Sequence, residues 1–254
     1  MPLFSKAHKL ALLLRRRSYR RALGFGVAAG IEHEQVLLGM RCNTVVDIGA
    51  NRGQFSVVAR YAFPKARIYA FEPLSGPVET FRRVFASDSQ TVLYPHALGS
   101  RRATDVIHVS RRDDSSSLYP IGEAQTDLYP DSAESHTETV RVERLDDIIA
   151  PEDIERPSLL KLDVQGYELE ALKGAPRVLR HFDFVYCECA FRELYAGQPL
   201  APAVIQFLSG FGLLLAGIHN PGYAPDGSAV QADLLFRSAV PRESALLEAV
   251  EARV

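Results

Sequence analysis

Short runs of aliphatic and β-branched residues alternate with helical patterns from residue 42 onward. Runs of this length are typical of buried strands, and their alternation with helices is typical of a parallel sheet covered on both faces. The pattern therefore predicts an α/β fold with seven strands, at 44–48, 67–71, 91–94, 158–163, 183–189, 211–216 and 231–236. It predicts helices between them, at 54–62, 76–86, 168–180 and 201–209.

One long segment interrupts this alternation. Two further extended runs, 104–109 and 138–143, flank a stretch rich in Ser, Asp, Tyr and Pro that has no clear period, residues 110–137. A loop of this length inside a compact domain is usually a lid, a binding loop or disordered. We predict one domain over 41–240 with a lid or insertion at 110–137. We also predict a basic helical extension over 1–40 and a C-terminal helix over 241–254.

Positive charge is concentrated at the N-terminus, where residues 1–30 contain seven Lys and Arg and no acidic residue. The apolar run Leu10–Leu14 is short and is followed by arginines, which disfavours a cleavable signal. Two interpretations stay open. The leucines pack on the domain under a solvated basic face, or the helix lies on an anionic membrane surface or an acidic partner.

Composition narrows the class of protein. The 254 residues are 47% hydrophobic and 24% charged, as in an ordinary globular protein, and the net charge of −2 disfavours nucleic acid as a partner. No apolar stretch approaches the length needed to span a bilayer. The three cysteines, Cys42, Cys187 and Cys189, are too few and too irregular for a disulfide framework, which predicts a reducing cytoplasmic location.

Candidate chemistry begins where the first strand ends, in VVDIGANRGQF at 45–55. Glycines at 49 and 53 allow a sharp turn and a close backbone approach to a ligand, and a helix N-terminus follows. The spacing differs from the G-x-G-x-x-G of dinucleotide sites, which disfavours a nicotinamide-dependent dehydrogenase. Asp47 places a carboxylate beside the turn and favours a cation or an amino group there.

The second strand ends in AFEP, which places Glu72 23 positions after Gly49. An acid at this strand end can accept both hydroxyl hydrogens of a ribose. Asp47, the glycine turn and Glu72 together match the amino acid part and the ribose of S-adenosylmethionine. The fourth strand ends at Asp163, which should face the same crevice, with Lys161 as a structural ion-pair partner.

Five motifs together resemble the FkbM family of S-adenosylmethionine-dependent methyltransferases over roughly residues 40–237. They are DIGANRGQFS, AFEP, Ser-Ser-Leu at 116–118, RLDDII at 144–149 and KLDVQGYELEALKGA at 161–175. The resemblance implies the class I methyltransferase fold, a Rossmann-like α/β fold. Its seven-stranded, mostly parallel sheet has helices on both faces, the order 3-2-1-4-5-7-6 and an antiparallel seventh strand. It also implies methyl transfer, usually to a hydroxyl of a sugar, glycolipid or natural product.

The resemblance also assigns roles to residues. It implies cofactor contacts from Asp47, Gly49, Asn51, Gly53, Glu72, His96 and Asp163. His96 stands where Asn or Asp is expected, which affects the adenine side. Glu168 joins Asp163 in the central crevice, and we predict acceptor contacts from Glu168 and from Ser116, Ser117 and Tyr119 in the long loop.

Direct methyl transfer needs an aligned acceptor and a base for its proton. We predict Asp163 as the base and Glu188 as the second candidate, with weaker candidates in His108, His136 and His219. A divalent metal would need more ligands than Asp163 and Glu188 supply, so we predict none. The predicted acceptor is a small molecule or glycan. The alternative is a noncatalytic adenosine-ligand-binding subunit of a biosynthetic complex; the sequence leaves the acceptor, the methylated atom and the oligomeric state open.

Overall fold

A computed structural model describes residues 6–239 of the protein. Its strands are β1 Thr44–Ile48, β2 Arg67–Phe71, β3 Thr91–Tyr94, β4 Ala97–Leu98, β5 Ala103–Ser110, β6 Glu134–Glu143, β7 Ser158–Leu162, β8 Phe184–Ala190, β9 Leu213–Tyr223 and β10 Ala229–Ser238. Its α-helices are α1 Lys6–Arg15, α2 Arg17–Leu23, α3 Glu34–Leu38, α4 Gln54–Ala62, α5 Ser75–Val84, α6 Glu123–Leu128, α7 Leu145–Ile148, α8 Glu168–Lys173 and α9 Ala201–Ser209. The predicted C-terminal helix at 241–254 lies outside the described residues.

The main sheet has the strand order β3-β2-β1-β7-β8-β10-β9. Numbered by these seven strands alone, the order is 3-2-1-4-5-7-6. The pairs among β3, β2, β1, β7 and β8 are parallel, and β10 runs antiparallel to both of its neighbours. The predicted class I methyltransferase fold is therefore confirmed.

One predicted helix and the last two predicted strands differ in extent from the structure. The helix expected over 168–180 ends at Lys173, and a separate 3-10 turn follows at Val178–His181. Gly174 and Pro176 separate them, because proline lacks the N–H that would continue a helix. The last two strands are longer than predicted, since β9 and β10 pair with each other through a hairpin that includes the polar residues 219–223.

Successive residues of the central strands point to opposite faces of the sheet and belong to two different apolar clusters. Val46, Leu160 and Val185 pack in one apolar cluster with residues of α8 and α9, while Val45, Leu159 and Tyr186 pack in another with α4 and the N-terminal helices. This follows from the two-residue period of a strand. Helices consequently cover both faces of the sheet, and the N-terminal extension covers part of one of them.

The N-terminal helices contact the domain through Leu13, Tyr19 and Ala22, all of which are buried. Leu10 and Leu14, one turn apart, are about half exposed and lie beside exposed arginines. Between residues 6 and 239, the structure contains no helix with the length and apolarity of a membrane span. Contact with an anionic membrane surface stays a prediction.

The long insertion is folded onto the domain. Strands β5 and β6 form an antiparallel pair, and β6 also pairs with β4 in a small second sheet. Between β5 and β6 the chain forms α6 and buries the side chains of Ser115, Ser117, Gln125 and Ser132. The segment 110–137 is therefore an ordered insertion, and part of it lies over the carboxyl ends of the main strands.

Candidate active site

A cavity of about 340 Å³ opens at the carboxyl ends of β1, β2 and β7. In open α/β folds this is the edge at which ligands bind, because the loops after parallel strands converge there. Five stretches of chain contribute residues to its wall, at 28–33, 48–55, 71–74, 96–98 and 161–167; β5 adds Ile107, and the insertion adds Asp114 and Ser116–Leu118.

The turn after β1 depends on Gly49. Its φ of +78° is in the left-handed region, and a Cβ there would stand 1.9 Å from the main-chain oxygen of Asp163. The N–H groups of Gly49 and Ala50 both donate to the Phe71 carbonyl, which joins the turn to the end of β2. Gly49, Ala50 and Asn51 line the cavity. Gly53, which we predicted beside the ligand, lies outside the cavity and packs against Phe81 and Phe85.

Glu72 lies at one end of the cavity and is only 5% exposed. Its carboxylate accepts hydrogen bonds from the backbone N–H of Asn51, at 2.9 Å, and of Leu74, at 2.8 Å. These two bonds fix the orientation of the group. A carboxylate has about four lone-pair positions, so a group of this kind can accept ligand hydroxyls as well as backbone N–H groups.

His96 lies near Glu72 and lines the same part of the cavity, together with Leu74, Leu98 and Ile107. Its Nδ1 is buried and has no hydrogen-bond partner within residues 6–239. An unsatisfied buried ring nitrogen among apolar side chains suits a flat heterocycle that carries its own donors and acceptors. The predicted placement of His96 on the adenine side is compatible with this geometry.

At the other end of the cavity, Lys161 and Asp163 line the wall and form a triad with the buried Asp47, here called the Asp47–Lys161–Asp163 triad. Lys161 Nζ lies 3.3 Å from Asp163 Oδ2 and 3.6 Å from Asp47 Oδ1. Asp47 is fully buried, accepts a 2.6 Å hydrogen bond from Ser56 Oγ and does not line the cavity. The expectation that Asp47 contacts the ligand directly is not supported, because Lys161 pairs with it and lines the cavity in its place.

The triad also sets the charge states at this end. Burial alone would lower the pKa of Lys161, but Asp163 and Asp47 raise it above its ordinary value. Burial likewise acts to raise the pKa of Asp163, yet Lys161 and the Gln165 amide hold it below its ordinary value. Lys161 and Asp163 therefore form a charged pair at this end of the cavity.

Gln165 joins Asp163 to Glu188. Its Nε2 donates to Asp163 Oδ1 at 2.7 Å and to Glu188 Oε2 at 2.9 Å, and its Oε1 accepts from the Tyr195 hydroxyl at 2.7 Å. Glu188 lies behind Gln165, beside a second, much smaller cavity, where burial and the nearby Asp163 raise its pKa well above the ordinary value. Of the two predicted bases, the structure therefore brings only Asp163 into the main cavity.

Of the four residues predicted to contact the acceptor, two line the main cavity and two do not. Ser116 and Ser117 line the cavity, and the Ser117 hydroxyl donates to the Gln165 carbonyl at 2.7 Å. Tyr119 lies outside it and packs on Tyr167, which does line it, with ring centroids 5.0 Å apart. Glu168 is buried below the turn, where it accepts hydrogen bonds from backbone N–H groups, and it does not line the main cavity.

The predicted histidines also lie elsewhere. His108 pairs with Glu134 at 2.6 Å, His136 is exposed and pairs with Glu138 at 3.2 Å, and His219 does not line the cavity. Among the described residues, no group of three or more His, Cys, Asp and Glu side chains is arranged to hold a metal ion.

Sequence comparison bears directly on this site. Residues 47–215 match the profile described as the methyltransferase FkbM domain. The chain belongs to the FkbM methyltransferase family. The match begins at Asp47 and includes Gly49, Glu72, Asp163 and Gln165, so the turn and strand ends that line the cavity all lie in the family domain.

Curated relatives of this FkbM chain are also named as methyltransferases. It is 27% identical over 192 residues to the 2-O-methyltransferase NoeI of Sinorhizobium fredii, covering 72% of this chain and 78% of that protein. It is 27% identical to Methyltransferase 1 of Beauveria bassiana, covering 56% and 61%, and to the hexuronic acid methyltransferase AglP of Haloferax volcanii, covering 56% and 54%. The chain thus spans less than two thirds of the length of the latter two.

One wall of the cavity lies outside the FkbM match. Ala28, Ala29, Gly30, Glu32 and His33 line it from the N-terminal segment, which our sequence analysis treated as an extension without a site role. The two-residue period of the strands is the sequence signal that could have indicated a role for this segment. The two-residue period places Asp47, Lys161 and Tyr186 on the sheet face that the N-terminal helices cover. Polar residues of the N-terminal segment can therefore contact the polar side chains on that face.

Glu168, in the FkbM motif after β7, makes the stability of the protein depend on pH. Burial raises its pKa to about 7, although the N–H groups of Val164 and Gly166 oppose the shift. As pH rises from about 4.5 to about 7, the unfolded state ionises before the folded state, so the wild type loses stability. Relative to wild type, Glu168→Gln should therefore gain about 2–3 kcal/mol between pH 5.0 and 7.5, measured by urea unfolding.

Glu170→Gln on the same helix is the matched control. Burial acts to raise the pKa of Glu170, but Lys173 and Ser100 hold it below the ordinary value. This variant should show no gain over the same pH interval, because Glu170 contributes stability when it is ionised. A Glu168→Gln difference that is independent of pH would show that Glu168 is already ionised at pH 5.0.

Proposed function

We propose that the protein transfers a methyl group from S-adenosylmethionine to a hydroxyl of a sugar, glycolipid or natural product. One observation carries the proposal. A single cavity in an FkbM methyltransferase domain has the oriented carboxylate of Glu72 at one end and the Lys161–Asp163 pair at the other.

The residues of the cavity fit this methyl donor. Glu72 would accept the ribose hydroxyls, and the unpartnered Nδ1 of His96 would meet the adenine beside Leu98 and Ile107. Asp163 would face the positively charged end of the molecule, with Lys161 limiting the excess negative charge. When bound, the donor supplies an electrophilic methyl group on a positively charged sulfur.

The chain itself then has to position an acceptor and exclude water. The insertion places Ser116, Ser117 and Leu118 over the cavity, and Ser117 is fixed to the Gln165 carbonyl. Asp163, with 33% of its side chain exposed, is the carboxylate best placed to contact the reacting groups. Glu188 would act through Gln165, which it holds in place together with Tyr195.

Two observations support a carbohydrate-like acceptor. The cavity presents the Ser116 hydroxyl and the Tyr167 ring, and sugars combine hydroxyls with apolar faces that stack on aromatic rings. Two relatives are named as a 2-O-methyltransferase and a hexuronic acid methyltransferase. Both names are compatible with oxygen as the methylated atom.

The cofactor assignment predicts that Glu72→Gln weakens binding of S-adenosylhomocysteine. The amide loses the charge, and one of its two terminal atoms can no longer accept a hydrogen bond, so we expect roughly 10- to 100-fold weaker binding, about 1.5–3 kcal/mol. Isothermal titration calorimetry measures the change, with thermal unfolding to confirm that the variant folds. Glu79→Gln, an exposed position on α5, is the matched control. Unchanged affinity in Glu72→Gln would contradict the ribose assignment.

Incubation with labelled methyl donor and a cell extract tests the reaction itself. Transfer of label to an extractable small molecule or glycan supports the enzyme and identifies its acceptor. Binding of S-adenosylhomocysteine without any transfer, over a range of extracts, would instead favour the noncatalytic adenosine-binding subunit.

A further inference from the structure

His33 is the histidine that the N-terminal segment brings into the cavity wall, and no motif of the family includes it. Its side chain is 14% exposed. The ring packs edge-on against Phe55 and Tyr186, with centroids 5.4 and 5.6 Å away. It is also close enough to Asp163 to contribute to the low pKa of that carboxyl group. His33 therefore lies at the charged end of the cavity, beside the expected reacting groups.

A hydrogen-bond chain connects one nitrogen of His33 to the last two strands. Asp233 on β10 accepts from the Tyr186 hydroxyl at 3.1 Å and from the Asn220 amide at 2.8 Å. Burial and the neighbouring Asp233 raise the pKa of Tyr186 far above its ordinary value, so the phenol keeps its proton. That single proton is directed at Asp233, which leaves the phenol oxygen as an acceptor.

This chain of hydrogen bonds determines the tautomer of His33. Its Nδ1 lies 3.2 Å from the Tyr186 oxygen and 3.5 Å from the Asn220 amide nitrogen. Because the amide donates to Asp233 at the much shorter distance of 2.8 Å and the Tyr186 proton is directed at Asp233, we infer that Nδ1 carries the proton and donates to the Tyr186 oxygen. The neutral ring then has its lone pair on Nε2. Within residues 6–239, Nε2 has no hydrogen-bond partner. Asp233, 3.6 Å from Nδ1, would stabilise the positive charge that the ring acquires when Nε2 takes a proton.

The two carboxylates considered first are less suited to the same task. Asp163 already pairs with Lys161 and accepts from Gln165, which keeps its pKa low and makes it a weak base. Glu188 lies behind Gln165 and outside the main cavity. Histidine is the side chain that most often serves as a general base near neutral pH.

We propose that His33 takes the proton from the acceptor hydroxyl, and that Asp233, through Tyr186, holds its ring in the tautomer that leaves Nε2 free. The proposal rests on the methyl transfer proposed above. The acceptor oxygen forms its bond to the methyl carbon as the bond from that carbon to sulfur breaks and its electron pair stays on sulfur. The proton of the hydroxyl passes to Nε2, and the resulting imidazolium later returns it to solvent.

The tautomer can be tested without any acceptor. Long-range ¹H–¹⁵N correlation spectra of the ¹⁵N-labelled protein at pH 8 distinguish a protonated Nδ1 from a protonated Nε2. We expect the His33 signals of the wild type to show Nδ1–H, and those of Tyr186→Phe to show a mixture, because that variant loses the oxygen that accepts from Nδ1. A wild-type ring protonated on Nε2 would overturn the proposal.

Turnover tests the chemical role, with label from S-adenosylmethionine and the extract as the acceptor source. His33→Gln should lower turnover by about 10²- to 10⁴-fold, the usual contribution of a general base, while its Kd for S-adenosylhomocysteine changes less than about twofold. His136→Gln, at an exposed position, is the control and should keep the wild-type rate. Imidazole added to His33→Ala should restore part of the lost turnover.

The outcomes separate the two proposals. Wild-type turnover in His33→Gln, or a loss explained entirely by weaker binding of S-adenosylhomocysteine, would overturn the role of His33 and leave the methyltransferase assignment intact. A wild-type protein that neither binds S-adenosylhomocysteine nor transfers label would instead contradict the proposed function.

Discussion

Replacing Lys161 by methionine is expected to lower the free energy of unfolding by about 3–5 kcal/mol, the usual cost of removing one partner from a buried ion pair. Lys161 is 3% exposed and lies between Asp47, which is fully buried, and Asp163. Methionine fills much of the same volume, so the loss comes mainly from the two carboxylates that lose their counter-charge. Urea unfolding measures the change.

Two further variants make this prediction specific. Lys173 forms an exposed ion pair with Glu170 at 2.6 Å, and Lys173→Met should cost less than about 1 kcal/mol because water screens exposed pairs. Adding Asp47→Asn to Lys161→Met should recover part of the stability, since it removes the more deeply buried of the unpaired charges. If Lys161→Met is as stable as the wild type, the triad does not stabilise the fold.

Gly49→Ala should be still more damaging and should cost more than about 4 kcal/mol, or prevent folding, because two effects combine. An alanine at φ +78° is strained by about 1–2 kcal/mol. Its Cβ would also stand 1.9 Å from the Asp163 main-chain oxygen, so β1 and β7 would have to separate at the site. Denaturant unfolding and binding of S-adenosylhomocysteine should both show the loss.

Two other glycines separate these effects. Gly197 has a φ of +80° and Gly76 lies in α5, and a Cβ at either position would have no heavy atom within 4 Å. Gly197→Ala should therefore cost only the strain of about 1–2 kcal/mol. Gly76→Ala should be neutral or slightly stabilising, because alanine favours a helix. Equal effects at Gly49 and Gly197 would show that the close approach to Asp163 is easily relieved.

The sheet could be predicted from the sequence because its central strands are short, mostly apolar runs, and the turns after β1 and β7 carry glycine. The strand ends then place Gly49, Glu72 and Asp163 at one edge, since parallel strands share a direction. The extent of β9 could not be predicted in this way. Its outer half, His219–Tyr223, has no apolar alternation and pairs only because β10 returns beside it.

Two residues that we predicted at the site, Asp47 and Glu188, do not line the main cavity, and the physical cause is the same for both. A strand position gives the face on which a side chain lies, but not which neighbour reaches it first. Lys161 therefore separates Asp47 from the cavity, and Gln165 separates Glu188 from it. His33 was missed because its partners Tyr186 and Asp233 follow it by 153 and 200 positions in the chain, and no local pattern reports contacts over that distance.

The same sequence separation has a consequence for biosynthesis. The wall that contains His33 is anchored to Tyr186 and Asp233, so a chain still emerging from the ribosome cannot complete it until β10 has been translated. Contacts between distant parts of a chain also form slowly, because a long loop must first be closed. Nascent chains that stop just before β10 would contain the whole FkbM match, residues 47–215, and yet have an open, unfinished ligand chamber.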